Sequence, residues 1–180
     1  MRYADEENGC LSYDPVDVNK RCFYIFGFID NKMAVEICRA TPYLADSKED
    51  ITIFINSIGG DLDAFCSIMS ALRLLKCKIK IFIVGEAYSA AAMMALLGDE
   101  VYASKFSNMM HHNMVFGLMD DGKEVKERLE LNQKQFDNIY RELLKGTKIS
   151  FDKFQKKINK NNWWMTAEEA KKYGFIHEIF

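Results

Sequence analysis

A chain of 180 residues in which 49% are hydrophobic, 28% are charged and only two are proline has the composition of a single globular domain. That composition excludes a disordered or collagen-like polymer. The 24 basic residues nearly cancel the 26 acidic ones, and the formal charge of -2 supplies no electrostatic reason to expect nucleic acid or an anionic membrane as partner. The five cysteines, Cys10, Cys22, Cys38, Cys66 and Cys77, are odd in number and lack CxxC spacing. They predict neither a disulfide framework nor a cysteine metal site, and they point to a reducing, cytoplasmic compartment. The N-terminus MRYADEENGC carries acids where an export signal carries bases, and the longest nearly apolar run, Ala87 to Leu97, is too short to cross a bilayer.

In chain order, RCFYIFGFI at 21 to 29 is rich in aromatic and β-branched residues and predicts a strand. Asp30 then offers an N-cap for a helix with apolar positions at Met33, Ala34, Ile37 and Cys38, expected to stop before Pro42. ITIFIN at 51 to 56 is apolar on both faces, which predicts a central strand covered by helices on both sides. Gly59 and Gly60 follow, and from Asp61 the apolar residues Ala64, Phe65, Ile68, Met69, Leu72 and Leu75 take helical spacing. IKIFIVG at 79 to 85 is a second buried strand, so residues 51 to 85 make a β-α-β crossover.

The segment GEAYSAAAMMALLGDE changes from strand to helix within a few residues, with Ser89 at or near the helix N-terminus. Short strands are expected at 101 to 104 and at 108 to 112, the second carrying His111 and His112. Residues 123 to 145 place Val125, Leu129, Phe136, Ile139, Tyr140 and Leu143 among charges, an amphipathic helix that Gly146 can end. A shorter helix follows Ser150. Thr166 with Glu169 then forms a T-x-x-E capping box, Gly174 closes a brief helix, and FIHEIF is the last strand.

Three sets of residues could carry chemistry. Ser89 is either an N-cap whose oxygen satisfies a backbone N–H, or a hydroxyl held at a strand-to-helix turn as a nucleophile; the local sequence does not choose. Gly59 and Gly60 are either a tight turn requiring positive φ or the backbone of an oxyanion hole. His111 and His112 are adjacent, so on a strand they face opposite ways and only one can share a site with Ser89. With His177 as the only other histidine, no metal site is expected.

Taken together, INSIGGDLDA at 55 to 64, GEAYSAAAMMALL at 85 to 97, SNMMHHNMVFG at 107 to 117 and WWMTAEEAKKYGFIHEI at 163 to 179 stand in the order of four motifs of the ClpP family, the proteolytic subunits of Clp proteases. The chain resembles that family from Arg21 to Ile179. The resemblance implies a crotonase-like α/β fold over 21 to 180 and a serine peptidase triad inside a heptameric ring or stacked rings. It also implies unfolded polypeptides as substrates and a Clp-type ATPase unfoldase as partner, with ATP used by that partner and no cofactor in this chain. Ser89 matches the nucleophile. His112 falls on the catalytic histidine when counted without gaps from Tyr102, and HNMVFG resembles the H-N-P-W-x-G of phage-encoded relatives; His111 is the fallback. The amides of Gly60 and Ala90 match the oxyanion hole, with Gly59 shaping its turn. Residues 123 to 145 match the handle helix by which rings meet, and residues 1 to 20 an axial loop or removable propeptide.

The sequence departs from that pattern at four places. Asn162, four residues before Thr166, stands where the family has its triad acid. An asparagine can accept a hydrogen bond from the histidine but brings no charge, and the same acid-to-amide change in a Ser-His-Asp triad costs about four orders of magnitude in turnover. Asp120 or Asp121 could swing in as a substitute. Asn161 replaces an arginine that supports ring contact, Ile58 replaces the proline of NSPGG, and His177 replaces an acid. Two expectations follow: a Clp-like serine peptidase subunit, or a catalytically silent scaffold or regulatory subunit that keeps the ring-forming surfaces.

Overall fold

Alternation of buried and half-buried side chains organises the structure around one twisted sheet. In chain order the elements are β1 (Val16–Asp17), β2 (Cys22–Ile29), α1 (Asn31–Leu44), β3 (Ile51–Gly60), α2 (Leu62–Leu72), β4 (Ile79–Tyr88), α3 (Ala90–Ala95), β5 (Glu100–Ala103) and β6 (Asn108–His111). After them come α4 (Gly122–Leu143), a short 3-10 turn at Leu144–Gly146, α5 (Phe151–Lys160), β7 (Trp163–Thr166), α6 (Ala167–Lys172) and β8 (Glu178–Ile179). The computed structural model describes residues 14–115 and 122–180. Cys10, Asp120, Asp121 and most of the expected N-terminal segment lie outside the described residues.

The sheet order is β1-β2-β3-β4-β5-β8, with β2 through β5 and β8 parallel, β1 antiparallel at one edge, and β6 and β7 off the main path. Parallel neighbours need crossovers, which α1 and α2 supply, and the β-α-β unit at 51 to 85 is present as expected. Ile51, Ile53, Ile55, Ile81 and Ile83 are fully or almost fully buried on one face. The other face differs from the expectation of helices on both sides. There Tyr24, Phe54, Phe82 and Tyr102 stack in a row, 5.6, 5.6 and 4.9 Å between successive ring centroids, and they remain half-buried. Aromatic rings can cover each other across parallel strands, so the apolar run does not require a helix on this side.

Helix α1 also runs past its expected end, because Pro42 sits in its last turn. There the Thr41 hydroxyl donates to the Ile37 carbonyl at 2.8 Å, while Leu44, 1% exposed, anchors the turn in the core. One lost backbone bond near a helix end is cheaper than exposing that leucine. The strand at 163 to 166 is not among the expected elements; it pairs antiparallel with β6, and β6 itself stops at His111 rather than His112.

The edge of β4 is shared. Its first half, Lys80 to Ile83, pairs with β5, and its second half, Glu86 to Tyr88, pairs with β6. The Ile83 carbonyl at the division accepts from Ser104 N and from the Ser107 hydroxyl, both at 2.9 Å. This division lets the β6 end run beside the β4 end, past the point where β5 stops.

His111 is buried within an aromatic cluster of Tyr140, Phe154, Trp163 and Phe175. Burial drives its pKa from the ordinary 6.5 down to about 3, with the neighbouring His112 adding to the effect. Between pH 6.5 and about 3 the unfolded chain therefore binds a proton that the folded chain refuses. Stability present above pH 6.5 is lost through this window, by up to about 1.4 kcal/mol per pH unit. In His111→Phe that loss disappears. Urea midpoints measured from pH 7 to pH 4 should show the gap between wild type and variant shifting in the variant's favour as pH falls; a gap independent of pH contradicts the assignment.

Candidate active site

Three strand ends meet at one point. Ser89 follows β4, His112 follows β6, and Gly59 and Gly60 close β3, all at the carboxyl ends of parallel strands, where α/β sheets form their ligand crevices. The β4–β6 ladder extends one bond beyond Tyr88 and Met110, since Ser89 N donates to the Met110 carbonyl at 2.8 Å. That bond fixes the serine backbone next to the exit of β6.

Ser89 does not cap α3. Its φ of 54 and ψ of -122 are strained for a residue with a side chain, and its hydroxyl makes no capping bond. Such a conformation costs on the order of 1–3 kcal/mol and persists only when its surroundings enforce it. The hydroxyl oxygen instead lies 2.6 Å from His112 Nε2. His112 is half-buried, and desolvation lowers its pKa, partly offset by the Asn113 main chain. A neutral imidazole at pH 7 is the form whose Nε2 can accept the serine proton.

The two glycines are needed for space. A Cβ on Gly59, whose φ is +92, would lie 2.5 Å from the Tyr88 carbonyl oxygen, 2.8 Å from Ser89 Cβ and 2.9 Å from Ala90 N. A Cβ on Gly60 would lie 2.0 Å from the Ile29 carbonyl oxygen. Asp61 N donates to that carbonyl at 2.9 Å. Along a strand successive N–H groups point to opposite edges, so the Gly60 N–H faces away from β2, toward the side where β3 and β4 pair no further than Ser57 and Ala87. Ala90 N opens α3, where amides have no intrahelical acceptor.

Two residues that the sequence reading did not single out hold this arrangement. Ser57, 0% exposed, donates its hydroxyl to the Gly27 carbonyl at 2.6 Å and accepts from Gly59 N at 3.0 Å. Asn56 Oδ1 accepts from Glu86 N at 3.1 Å and leaves no room for a Cβ on Gly85. That contact sits where β4 carries two more residues than β3, between the pairs Ile55–Ile83 and Ser57–Ala87. Both belong to the INSIGG motif, and the signal was the pair of polar residues in an otherwise apolar strand.

The fallback His111 does not face Ser89. Its side chain enters the aromatic cluster, where Nδ1 lies 3.0 Å from the Tyr140 hydroxyl. Asn162 is exposed, and among the described residues it makes no hydrogen bond to His112. The β6–β7 register still brings it close along the backbone. His111 pairs with Trp163, so the next rung would set His112 opposite Asn162. His177 lies elsewhere, accepting from Val101 N at 2.8 Å between β5 and β8. No helix among the described residues is long and apolar enough to cross a membrane.

A groove of about 650 Å³ opens in front of Ser89 and His112. One wall is the start of α2, with Asp61, Asp63 and Ser67. The other is a stripe on α4, Arg128, Asn132, Phe136 and Tyr140, spaced four apart and hence on one helix face. A groove of this size, with a serine and an imidazole in contact on its floor and the amides of a strand end and a helix start beside them, has the parts of an acyl-transfer site. The family model described as Clp protease matches residues 10–180, and the chain belongs to the Clp protease family.

Proposed function

We propose that the chain is the subunit of a ClpP-like serine endopeptidase, with Ser89 as nucleophile, His112 as general base and the amides of Gly60 and Ala90 as oxyanion hole. The observation that carries this reading is the strained Ser89, whose hydroxyl leaves the helix amides unserved and meets His112 Nε2 at 2.6 Å. Nε2 takes the hydroxyl proton as Oγ attacks the peptide carbonyl carbon, and the oxygen of the tetrahedral intermediate turns to the two amides. The proton on Nε2 then passes to the leaving amine as the C–N bond breaks. Water, deprotonated by the same nitrogen, attacks the acyl carbon, and Nε2 returns that proton to Oγ as the ester C–O bond breaks, freeing the acid product and Ser89. Gly59 serves by bringing the β3 end against the serine turn.

The imidazolium formed in the first step is the weak point. His112 has no carboxylate partner among the described residues and is half-buried, so burial disfavours the charged ring. Turnover should therefore be slow for a serine peptidase. The same observation favours a second reading, a ring subunit without peptidase activity. Residues 123 to 135 of α4 include no buried side chain, and Leu131 is 64% exposed. The exposure of that half supports a handle through which copies meet in a ring or stacked rings, with an unfoldase and unfolded polypeptide as further partners.

A fluorophosphonate probe should label the assembled protein at Ser89 alone, and Ser89→Ala should abolish both labelling and hydrolysis of short peptides; labelling that survives the substitution refutes the assignment. Asn162→Asp should raise the peptidase rate tenfold or more, against a ceiling of about 10⁴ set by acid-to-amide changes in other triads. An unchanged rate would mean that position 162 does not serve His112. Light scattering should give the mass of a ring of copies, and a monomer at working concentration would exclude the chamber.

A further inference from the structure

We propose that His112 is positioned by anchors on its two chain neighbours, Tyr140 acting through His111 and Asn159 acting through Asn113. The inference rests on the peptidase reading above and concerns how that site is held. His112 lies one residue beyond the last rung of the β6–β7 ladder, His111 with Trp163, so pairing no longer fixes it. On its N-terminal side, His111 is 0% exposed and wedged edge-to-face against Phe154 and Phe175, with centroids 5.2 and 5.1 Å away. Its one polar partner among the described residues is the Tyr140 hydroxyl at 3.0 Å, because His111 Nε2 has none. Tyr140 belongs to α4 and lines the groove, so this bond ties the groove wall to the strand that delivers the base.

On the C-terminal side, Asn113 Nδ2 donates to Asn159 Oδ1 at 2.9 Å, and Asn113 Oδ1 accepts from Met114 N at 2.9 Å. The first bond ties the exit of β6 to α5. With the residues on both sides fixed, consecutive Cα atoms about 3.8 Å apart leave His112 little beyond its own side-chain torsions. A misplacement of roughly 1 Å at a catalytic group can cost about 10² in rate, so two such anchors have a measurable consequence.

Tyr140→Phe keeps the ring contacts and removes the hydroxyl; kcat on a short fluorogenic peptide should fall by about tenfold to 10², with KM unchanged within about twofold. The double variant H111F/Y140F removes both polar partners from the core and should recover thermal stability, while its kcat stays low. Asn159→Ala acts on an exposed bond and leaves the core intact. Its kcat should also fall, and Asn159→Asp, which still accepts from Asn113, should restore it. Wild-type kcat in H111F/Y140F or in Asn159→Ala overturns the anchoring. Absence of any Ser89-dependent turnover in the wild type overturns the peptidase reading itself and this inference with it.

Discussion

Between the ends of β3 and β4 there is no room for a single methyl group. A Cβ at Gly59 would press on the Tyr88 carbonyl, the Ser89 Cβ and the Ala90 amide at once. That close approach brings the backbone of one strand against the serine turn of the next. It depends in turn on Ser57, which ties the Gly59 amide to the Gly27 carbonyl, and on Asn56, which holds the extra residues of β4 at Glu86. Each of these polar groups is bonded, and so the turn is enforced by hydrogen bonds and by excluded volume together. The strain at Ser89 is sustained by those contacts.

The electrostatics of the site follow from the surroundings of the imidazole, which include no carboxylate partner among the described residues. His112 sits in a partly desolvated position that lowers its pKa, so the ring is held in the neutral form that can accept a proton, while the charged form it becomes is disfavoured. A triad carboxylate would correct the second half of that balance; Asn162 supplies none. Continued one residue past the last pair, His111 with Trp163, the β6–β7 register would bring Asn162 opposite His112.

Much of this was legible in the chain. The apolar runs ITIFIN and IKIFIVG, the glycines that close β3, the capping box at Thr166 and Glu169 and the helical spacing of α2 and α4 are local patterns, and strands and helices formed on them. The misses have a common cause. Pro42 stays helical because Leu44 is buried by distant residues, the aromatic row on β2 to β5 covers itself across strands, and β7 forms because β6 is there to pair with. None of those partners is near in sequence.

The two histidines show the division most clearly. Alternation along a strand required that His111 and His112 face opposite ways, and this much the sequence determined alone. Which of them met Ser89 was decided by the division of the β4 edge, which runs β6 alongside β4 so that His112 emerges over the serine and His111 turns into the Tyr140 cluster. The order of elements and the candidate groups are properties of short segments, because backbone propensity and side-chain period act over a few residues. The 2.6 Å contact exists only where non-adjacent strand ends are packed together, because distances between them are set by sheet register and core volume.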